Sequence, residues 1–306
     1  MEIDVIIPLY KPGKELFTLL DKLGSQSVPV HQVILLNTEE KYFEQLIYGI
    51  RFLETYQNIK IYHVSKREFD HGGTRRMGVK KSSADVFVMM TQDAMPKDDR
   101  LIEKLVEPLQ GEVAVAYARQ LPREDSTPVE SYTREFNYPA KSRIKSAADL
   151  DSLGIKTFFC SNVCAMYERE TYLAQGGFPR RTIFNEDMIY AGGLIQAGYG
   201  IAYVAEARVI HSQNYNCMQQ FHRNFDLGVS QAEHPEIFEG VPSEGEGMRL
   251  VKKTLAYLIH SGRIWLIPGF VLQCAGKYAG YLAGKKFRKL PKKFILWCTM
   301  SPNYWK

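Results

Sequence analysis

The stretch "ADVFVMMTQDAMP", residues 84–96, places a carboxylate directly after a run of apolar residues. Val86 to Met90 are five consecutive apolar residues, which is typical of a strand buried on both faces. Ligands of such helix-covered sheets bind at the carboxyl ends of the strands. Asp93 is therefore a candidate ligand-binding residue, although an Asp ahead of a helix is also a common N-cap.

Strand and helix patterns alternate on both sides of this stretch. The strand patterns are "EIDVIIPLY" (2–10), "HQVILLNT" (31–38), "NIKIYHVS" (58–65) and "VAVAYARQL" (113–121). Helical patterns separate them, over residues 13–26, 41–56, 74–83 and 97–110. This βαβ series predicts an α/β fold with a mostly parallel, doubly wound central sheet flanked by helices.

The second half of the chain is less regular. Residues 122–156 are polar and irregular, and we interpret them as a long insertion or an acceptor-side loop. A strand and helix then end at a Gly-Gly pair, a helix follows over 185–200, and a strand ends in His211. A last helix of this part is expected over 216–233.

Composition excludes several classes. Apolar residues make up 45% of the chain and charged residues 24%, so global disorder is not expected. The five cysteines form no CxxC pair, which favours reduced thiols in a cytoplasmic protein. Glu2 and Asp4 stand where a signal peptide would be basic, so no signal peptide is expected.

The C-terminal residues are strongly basic. Residues 247–306 hold twelve of the 39 Lys and Arg residues and none of the 34 Asp and Glu residues. Residues 264–276 are uncharged but shorter than the about twenty needed to span a bilayer. We therefore divide the chain into a domain at 1–240 and a basic helical region at 241–306, and predict that the latter lies on an anionic membrane surface. Packing on the body of the protein or on a second copy, as a homodimer, is the alternative.

The segment "FDHGGTRRMG", residues 69–78, is a second candidate site. Gly72 and Gly73 let the backbone approach a ligand closely, and Thr74 is predicted to cap the following helix. Arg75 would then lie at the helix start, where a cation opposes the macrodipole unless an anion such as a diphosphate is bound. A solvated surface turn is the alternative.

Two further features are open to two interpretations each. Glu186 and Asp187 in "FNEDMIY" (184–190) either favour the helix dipole or present a general base to an acceptor hydroxyl. His211 ends an apolar strand and is either structural or a second ligand, beside Asp93, of a divalent cation.

Other enzyme classes lack their signatures here. The first strand is followed by "PLYKPG" and not by GxGxxG, which disfavours a nicotinamide dehydrogenase. GxxxxGK[ST] and GxSxG are absent, which excludes a P-loop enzyme and the nucleophile elbow of hydrolases. Nothing indicates base readout, so no nucleic-acid partner is expected.

The order of the motifs resembles inverting GT-A glycosyltransferases of family 2. The motifs are, in order, "VIIPLYKPG", "HGGTRRMG", "MTQDAMP", "SNVCAMY", "GGF" and "NED". The segments "TQDA", "REFNYP" and "FHRNFDLGVSQ" are most similar to those of the bacterial rhamnosyltransferase branch. The resemblance covers about residues 1–235.

The resemblance implies roles for the candidate residues. Asp93 would be the acid that binds Mg²⁺ or Mn²⁺, with Gln92 and Ala94 beside it where many relatives have a second acid, and His211 could be a second ligand. Asp187 would be the catalytic base and Glu186 its neighbour. Contacts with the nucleotide-sugar would come from Pro8, Tyr10, Asn37 or Glu39, Asp70, His71, Arg75 and Gln92.

The resemblance also implies an activity. The enzyme would move rhamnose from dTDP-rhamnose to a lipid-linked saccharide acceptor of a surface polysaccharide, in the cytoplasm, peripherally on the inner face of the plasma membrane. The alternatives are transfer of another sugar from a UDP donor, a non-catalytic nucleotide-sugar-binding scaffold, and a metal-dependent nucleotidyltransferase.

Overall fold

The computed structural model describes residues 1–241 and 244–306, and in these residues nine strands form one sheet. The strands are β1 (Ile3–Tyr10), β2 (Gln32–Thr38), β3 (Ile59–Val64), β4 (Val86–Met90), β5 (Met95–Pro96), β6 (Val113–Leu121), β7 (Arg143–Lys145), β8 (Cys164–Glu168) and β9 (Gly200–Ile210). Their order in the sheet is β3-β2-β1-β4-β8-β6-β9-β5, and β7 pairs with β9.

The sheet is mixed. Strands β1 to β4 run parallel, as the βαβ pattern predicts, and β6 runs parallel to β9. Strand β8 is antiparallel to both of its neighbours, β4 and β6, and β5 and β7 are antiparallel to β9. The predicted α/β fold is confirmed, but the sheet is less parallel than expected, because an apolar run indicates burial and not direction.

The burial of both faces of β1 explains why residues 5–9 of this strand are all apolar. Ile3, Val5 and Ile7 pack into one hydrophobic cluster, and Ile6 packs into another. Successive side chains of a strand point to opposite faces, so a strand with helices on both sides is apolar at most of its positions.

Fourteen α-helices lie within the described residues. They are α1 (Glu15–Gly24), α2 (Glu40–Ile47), α3 (Phe52–Thr55), α4 (His71–Lys81), α5 (Leu101–Val106), α6 (Pro128–Asn137), α7 (Leu150–Leu153), α8 (Arg169–Ala174), α9 (Glu186–Gln196), α10 (Cys217–Glu233), α11 (Pro235–Phe238), α12 (Glu244–His260), α13 (Ile267–Lys285) and α14 (Lys292–Cys298). The helix predicted over 97–110 is shorter than expected, since α5 spans only Leu101–Val106. The one expected over 41–56 is divided near Gly49, whose φ of 74° is incompatible with a helix.

Two local expectations are wrong. Helix α4 begins at His71, and its N-cap is Asp70 and not Thr74, because Asp70 Oδ1 accepts the Gly73 N–H at 2.7 Å. Arg75 therefore lies in the second turn of the helix. Residues 122–156, interpreted as irregular, contain α6, β7 and α7.

Close backbone contact joins α13 to α10. A Cβ atom built on Gly280 would lie 2.2 Å from the Phe221 carbonyl oxygen, and one on Gly284 would lie 2.1 Å from that of Phe225. From α10, a Cβ on Gly228 would lie 2.3 Å from the Tyr281 carbonyl oxygen. Glycine is thus required on both helices for this approach, and the basic C-terminal region packs on the body of the protein through it. Across residues 1–241 and 244–306, no helix has both the length and the hydropathy that a membrane span requires.

Candidate active site

A cavity of about 400 Å³, called here the main cavity, lies at the carboxyl ends of β1 and β2. Tyr10 ends β1, Thr38 ends β2, and both line it together with Asp70 and His71 at the start of α4. This is the edge of a parallel sheet where ligands are expected.

Cationic and aromatic side chains line the same cavity. The Lys66 Nζ lies 5.7 Å from the centroid of the Tyr10 ring, and Tyr10 is 40% exposed. The Arg223 guanidinium lies 4.5 Å from the centroid of the Phe184 ring. Beside the carboxyl groups of Asp70 and Asp226, the cavity thus offers two positive charges and an accessible aromatic face, which suit a phosphorylated ligand that carries a ring.

A second cavity, of about 300 Å³, is lined by Gln92 and Asp93. Gln92 connects it to the main cavity, because its Oε1 accepts the Tyr10 N–H at 2.9 Å and its Nε2 donates to the Tyr10 carbonyl oxygen at 3.2 Å. Both polar atoms of the Gln92 amide thus hold the Tyr10 backbone. Gln92 thus joins Tyr10, which lines the main cavity, to its own neighbour in sequence, Asp93, which lines the second cavity.

Asp93 and His211 lie side by side, as the sequence suggested. His211 Nε2 is 3.3 Å from Asp93 Oδ2, and the Gln213 amide donates to the same oxygen at 3.1 Å. Burial raises the pKa of Asp93, but the hydrogen bonds from His211 and Gln213 outweigh it, so this pKa lies well below its usual value. Asp93 is therefore an anion at neutral pH.

Gln120 orients His211. The Oε1 of Gln120 lies 3.0 Å from His211 Nδ1 and also accepts from Arg134, while Nε2 of Gln120 donates to Ser161 at 3.0 Å and to Tyr138 at 2.5 Å. Since both donors and the acceptor of the amide are engaged, its orientation follows from the network. His211 Nδ1 then donates to Gln120 Oε1, which leaves Nε2 facing the Asp93 carboxylate.

The donor atoms of Asp93 and His211 fit a divalent cation. Neighbouring ligand atoms of an octahedral ion with bonds of about 2.1 Å lie about 3 Å apart, close to the observed 3.3 Å. Across the residues that the structure describes, no three or more His, Cys, Asp or Glu side chains converge. The site therefore suits an ion that takes its other ligands from water and substrate oxygens.

Glu186 and Asp187 begin α9 after a strained residue. Asn185, its N-cap, has φ 71° and ψ 24°, and its buried Nδ2 has no hydrogen-bond partner. Residues other than glycine adopt this left-handed conformation rarely, and they concentrate at functional sites. The backbone at Asn185 sets the direction in which the two carboxylates leave the helix.

Glu186 is buried, and the positive charge of Arg75 compensates its negative charge. Arg75 Nε lies 3.1 Å from its Oε1, without the alignment of a hydrogen bond, and the Asn162 amide donates to Oε1 at 2.9 Å. Burial raises the pKa of Glu186, but Arg75, His71 and Asn162 outweigh it and lower the pKa. Arg75, expected to contact a nucleotide-sugar, is itself 7% exposed and donates to the His71 carbonyl oxygen at 3.0 Å.

Asp187 differs from its neighbour. Its side chain is partly exposed, Oδ2 accepts the Asn162 N–H at 2.9 Å and Oδ1 accepts the Met188 N–H at 2.8 Å. Burial and the charge of Glu186 raise the pKa of Asp187 to about 7, against these hydrogen bonds. A positioned carboxylate with a pKa near neutrality is suited to accept a proton from a hydroxyl group.

A polar network connects the two ends of the site. Gln120 contacts His211 on one side and Ser161 on the other, and the next residue, Asn162, holds Glu186 and Asp187. Asp187 itself lines neither cavity. Asp93 and Asp187 are therefore connected through His211, Gln120 and the Ser161–Asn162 backbone, and neither of these two cavities is lined by both.

Of the other residues expected to contact the nucleotide-sugar, some line a cavity and others do not. Asn37 is fully buried and donates to the Glu39 carbonyl oxygen at 3.1 Å, while the Glu39 carboxylate accepts the Lys66 N–H at 2.6 Å. Pro8 is a partly buried residue of β1 and lines neither cavity. Asp70 lines the main cavity but also accepts backbone N–H groups.

Several lining residues were missed by the sequence analysis. They are Lys66, Tyr215, Arg223, Asp226 and the segment 300–304. The pattern "FHRNFD" around Arg223 and Asp226 contained both charges and could have been singled out. Residues 300–304 gave no signal, because their position depends on how the C-terminal helices pack.

The family model described as Glycosyl transferase family 2 matches residues 4–173, more than half of the chain. The chain belongs to this family. The matched part includes Asp93 and Asn162, and Asp187 and His211 follow it. The resemblance drawn from the motif order is thus confirmed, and this family 2 protein is a glycosyltransferase.

Two relatives of this family 2 protein are similar over most of their length. The O-antigen chain rhamnosyltransferase RfbN of Salmonella typhimurium is 38% identical over 313 residues, covering 100% of this chain and 96% of the relative. The O-antigen chain rhamnosyltransferase WbaN of Salmonella anatum is 41% identical over 256 residues, covering 82% and 80%.

A solved structure has the same fold. It is the mannosyltransferase PcManGT from Pyrobaculum calidifontis in complex with GDP-Man and Mn²⁺, with a TM-score of 0.57 and 16% identity, covering 99% of this chain and 84% of the other. At this identity the similarity establishes the fold alone, which is the GT-A-like arrangement expected from the sequence.

Proposed function

We propose that this enzyme transfers rhamnose from dTDP-rhamnose to a lipid-linked saccharide during synthesis of a surface polysaccharide, with inversion at the anomeric carbon. Two relatives named as rhamnosyltransferases, matched over 96% and 80% of their length, support the sugar and the pathway class. The observation that carries the chemistry is Asp187, a partly exposed carboxylate whose pKa is raised to about 7.

The donor nucleotide is proposed to occupy the main cavity. Tyr10 offers an exposed ring to the nucleobase, and Lys66 and Arg223 offer charges to the diphosphate. Guanidinium groups bind phosphate oxygens in pairs, so Arg223 suits this role better than a lysine would. Lys66 adds a point charge near the Tyr10 ring, 5.7 Å from its centroid.

Asp93 and His211 would hold Mg²⁺ or Mn²⁺, as their donor atoms fit such an ion. The ion, when bound, supplies positive charge that stabilises the departing nucleoside diphosphate. Gln120 Oε1 accepts from His211 Nδ1, so Nε2 is the ring nitrogen that would bind the ion. The GDP-Man and Mn²⁺ bound to the mannosyltransferase of the same fold support this assignment.

Asp187 is proposed to be the general base. The acceptor oxygen attacks the anomeric carbon while the bond from that carbon to the diphosphate oxygen breaks, and the acceptor proton passes to a carboxylate oxygen of Asp187. The N–H groups of Asn162 and Met188 each donate to one carboxylate oxygen of Asp187, and a lone pair remains on both oxygens for this proton. Glu186 stays ionised against Arg75 and keeps the pKa of Asp187 raised.

The test compares Asp187→Asn with wild type in release of dTDP from dTDP-rhamnose. Removal of a general base lowers kcat by about 10²- to 10⁴-fold, while the dissociation constant for dTDP should not change. Glu170→Gln, on the exposed first turn of α8, is the matched control. Undiminished turnover by Asp187→Asn would contradict the assignment.

Transfer of another sugar from a UDP donor is the second candidate. A panel of nucleotide-sugars, each with and without Mn²⁺, ranks donors by the rise in melting temperature, because a ligand that binds only the folded state stabilises it. Tight binding of a donor without transfer to any acceptor would support the non-catalytic scaffold instead.

Peripheral association with the inner face of the plasma membrane is also proposed. Trp265 is 72% exposed, Leu272 64% and Trp297 54%, in a region that has twelve basic and no acidic residues after position 246. Aromatic and basic residues together favour the interface of anionic lipid, where each cation contributes roughly 1 kcal/mol. Cosedimentation with vesicles that contain phosphatidylglycerol, against neutral vesicles, tests this.

A further inference from the structure

The C-terminal segment of the chain forms part of the main cavity. Five consecutive residues, Met300 to Tyr304, line it together with Tyr10 and Lys66. They follow α14 and lie far beyond the part of the chain that matches the family model, residues 4–173. Neither the family match nor the sequence pattern therefore assigns these residues to a site.

The segment is held against the body at separate places. Asn303 Nδ2 donates to the Lys66 carbonyl oxygen at 3.0 Å, which links the segment to the loop after β3. The Tyr304 hydroxyl donates to Glu233 at 2.9 Å, and Arg181 donates to the Tyr304 carbonyl oxygen. These contacts fix the segment on three elements, so it is a built wall of the cavity.

Asp226 of α10 holds the beginning of the segment. Its Oδ1 accepts the Thr299 hydroxyl at 2.6 Å and its Oδ2 accepts the Met300 N–H at 3.0 Å, and the residue is only 3% exposed. The Ser301 N–H donates to the Thr299 hydroxyl oxygen at 2.9 Å. One buried carboxylate thus sets the direction of the chain where it enters the cavity wall.

Two polar atoms of the wall remain available. Across the described residues, neither the Ser301 hydroxyl nor the Asn303 Oδ1 forms a hydrogen bond, and both residues are partly exposed in the cavity. One can donate and accept, and the other can accept. Neutral groups of this kind recognise the hydroxyl and amide groups of a nucleoside, whereas Lys66 and Arg223 suit the diphosphate.

We propose that the C-terminal segment is a donor-binding element in which Ser301 and Asn303 hydrogen-bond the nucleoside of the nucleotide-sugar and Asp226 positions them. The inference rests on the proposed function, since it requires a nucleotide in the main cavity. It assigns donor recognition to the last residues of the chain, which the C-terminal helices carry to the site.

The first experiment measures binding of dTDP, in the presence of Mn²⁺, by isothermal titration calorimetry to the full chain. Ser301→Ala combined with Asn303→Ala should raise the dissociation constant roughly 5- to 50-fold, the effect of two lost hydrogen bonds. Asn58→Ala is the matched control, because Asn58 Nδ2 also donates to a backbone carbonyl oxygen, at 3.2 Å, but lies just before β3 and outside the main cavity.

The second experiment tests Asp226 as a positioning residue. Asp226→Asn should raise the KM for the donor while kcat and the KM for the acceptor change less than twofold. Because a substitution at this buried site can also unfold the chain, Thr299→Ala, which keeps the carboxylate and removes the hydroxyl group between Asp226 and the Ser301 N–H, serves as the second variant. The donor KM should rise in it as well.

The outcomes separate the two claims. Wild-type protein that binds neither dTDP nor UDP overturns the proposed function and this inference together. Wild-type protein that binds dTDP, with a dissociation constant unchanged in the double variant, overturns the inference alone. An unchanged donor KM in both Asp226→Asn and Thr299→Ala overturns the positioning role.

Discussion

His211 Nδ1 lies 3.0 Å from Gln120 Oε1, and this contact leaves His211 Nε2 directed at Asp93, 3.3 Å away. Gln120 is 2% exposed and reaches Ser161 with its other amide atom, next to the residue that holds Asp187. A single buried amide thus contacts both halves of the candidate site. A residue that hydrogen-bonds the far nitrogen of a metal-binding histidine orients its ring and influences metal affinity.

Gln120→Glu should weaken Mn²⁺ binding. A carboxylate at this position cannot donate to Ser161 and Tyr138 as the amide does, so the group that orients His211 loses its own anchors and affinity should fall roughly 10- to 100-fold. Electron paramagnetic resonance of free Mn²⁺ measures this without turnover. Gln110→Glu, at an exposed surface position, is the control, and equal affinity in the two variants would contradict the role of Gln120.

Removal of divalent cations should abolish transfer. Dialysis against a chelator is expected to stop dTDP release, and added Mn²⁺ or Mg²⁺ should restore it, since the ion neutralises the leaving diphosphate. Asp93→Ala should lower Mn²⁺ affinity at least tenfold, whereas Asp151→Ala, which is exposed on α7, should not. Full activity in the chelated enzyme would exclude the metal.

Activity and stability should respond to pH in opposite directions through Asp187. Because the base must be ionised, kcat/KM should fall as the pH drops below about 7. The folded-state pKa is raised, so the folded state holds this proton more tightly than the unfolded state. The stability that follows is fully present below the unfolded pKa of about 4 and is lost as the pH rises through about 7.

Asp187→Asn isolates this effect. Relative to wild type, the variant should gain stability between about pH 4 and about pH 7 and show no further relative change above that range. Urea unfolding at a series of pH values measures the difference. A difference that does not vary with pH would show that the pKa of Asp187 is not raised in the folded state.

Gly280→Ala should destabilise the protein by about 1–3 kcal/mol, because its new methyl group would lie 2.2 Å from the Phe221 carbonyl oxygen and force α13 away from α10. Gly269→Ala, on the exposed first turn of the same helix, meets nothing within 4 Å and should instead stabilise by up to about 1 kcal/mol. Thermal unfolding distinguishes them, and equal melting temperatures would refute the close packing of the two helices.

Much of the site could be predicted from residue order. The buried run before Asp93 and the acidic pair at the start of α9 placed carboxylates at the ends of elements, and the motif order indicated the family. Local patterns could not rank Glu186 against Asp187, because adjacent acids differ only in what surrounds them. Arg75 and Asn162 come from distant parts of the chain, and their contacts keep Glu186 ionised, while burial and the charge of Glu186 raise the pKa of Asp187.

The sequence by itself determined the parallel half of the sheet, β1 to β4, and the positions of Asp93, His211 and Asp187 at the ends of their elements, because period, burial and capping are local properties. Only the tertiary structure decided the direction of β8, the contact of Gln120 with His211, and the place of residues 300–304 beside Lys66. Each of these joins residues far apart in the chain, and such contacts depend on how whole elements pack and not on the side chains nearby in sequence.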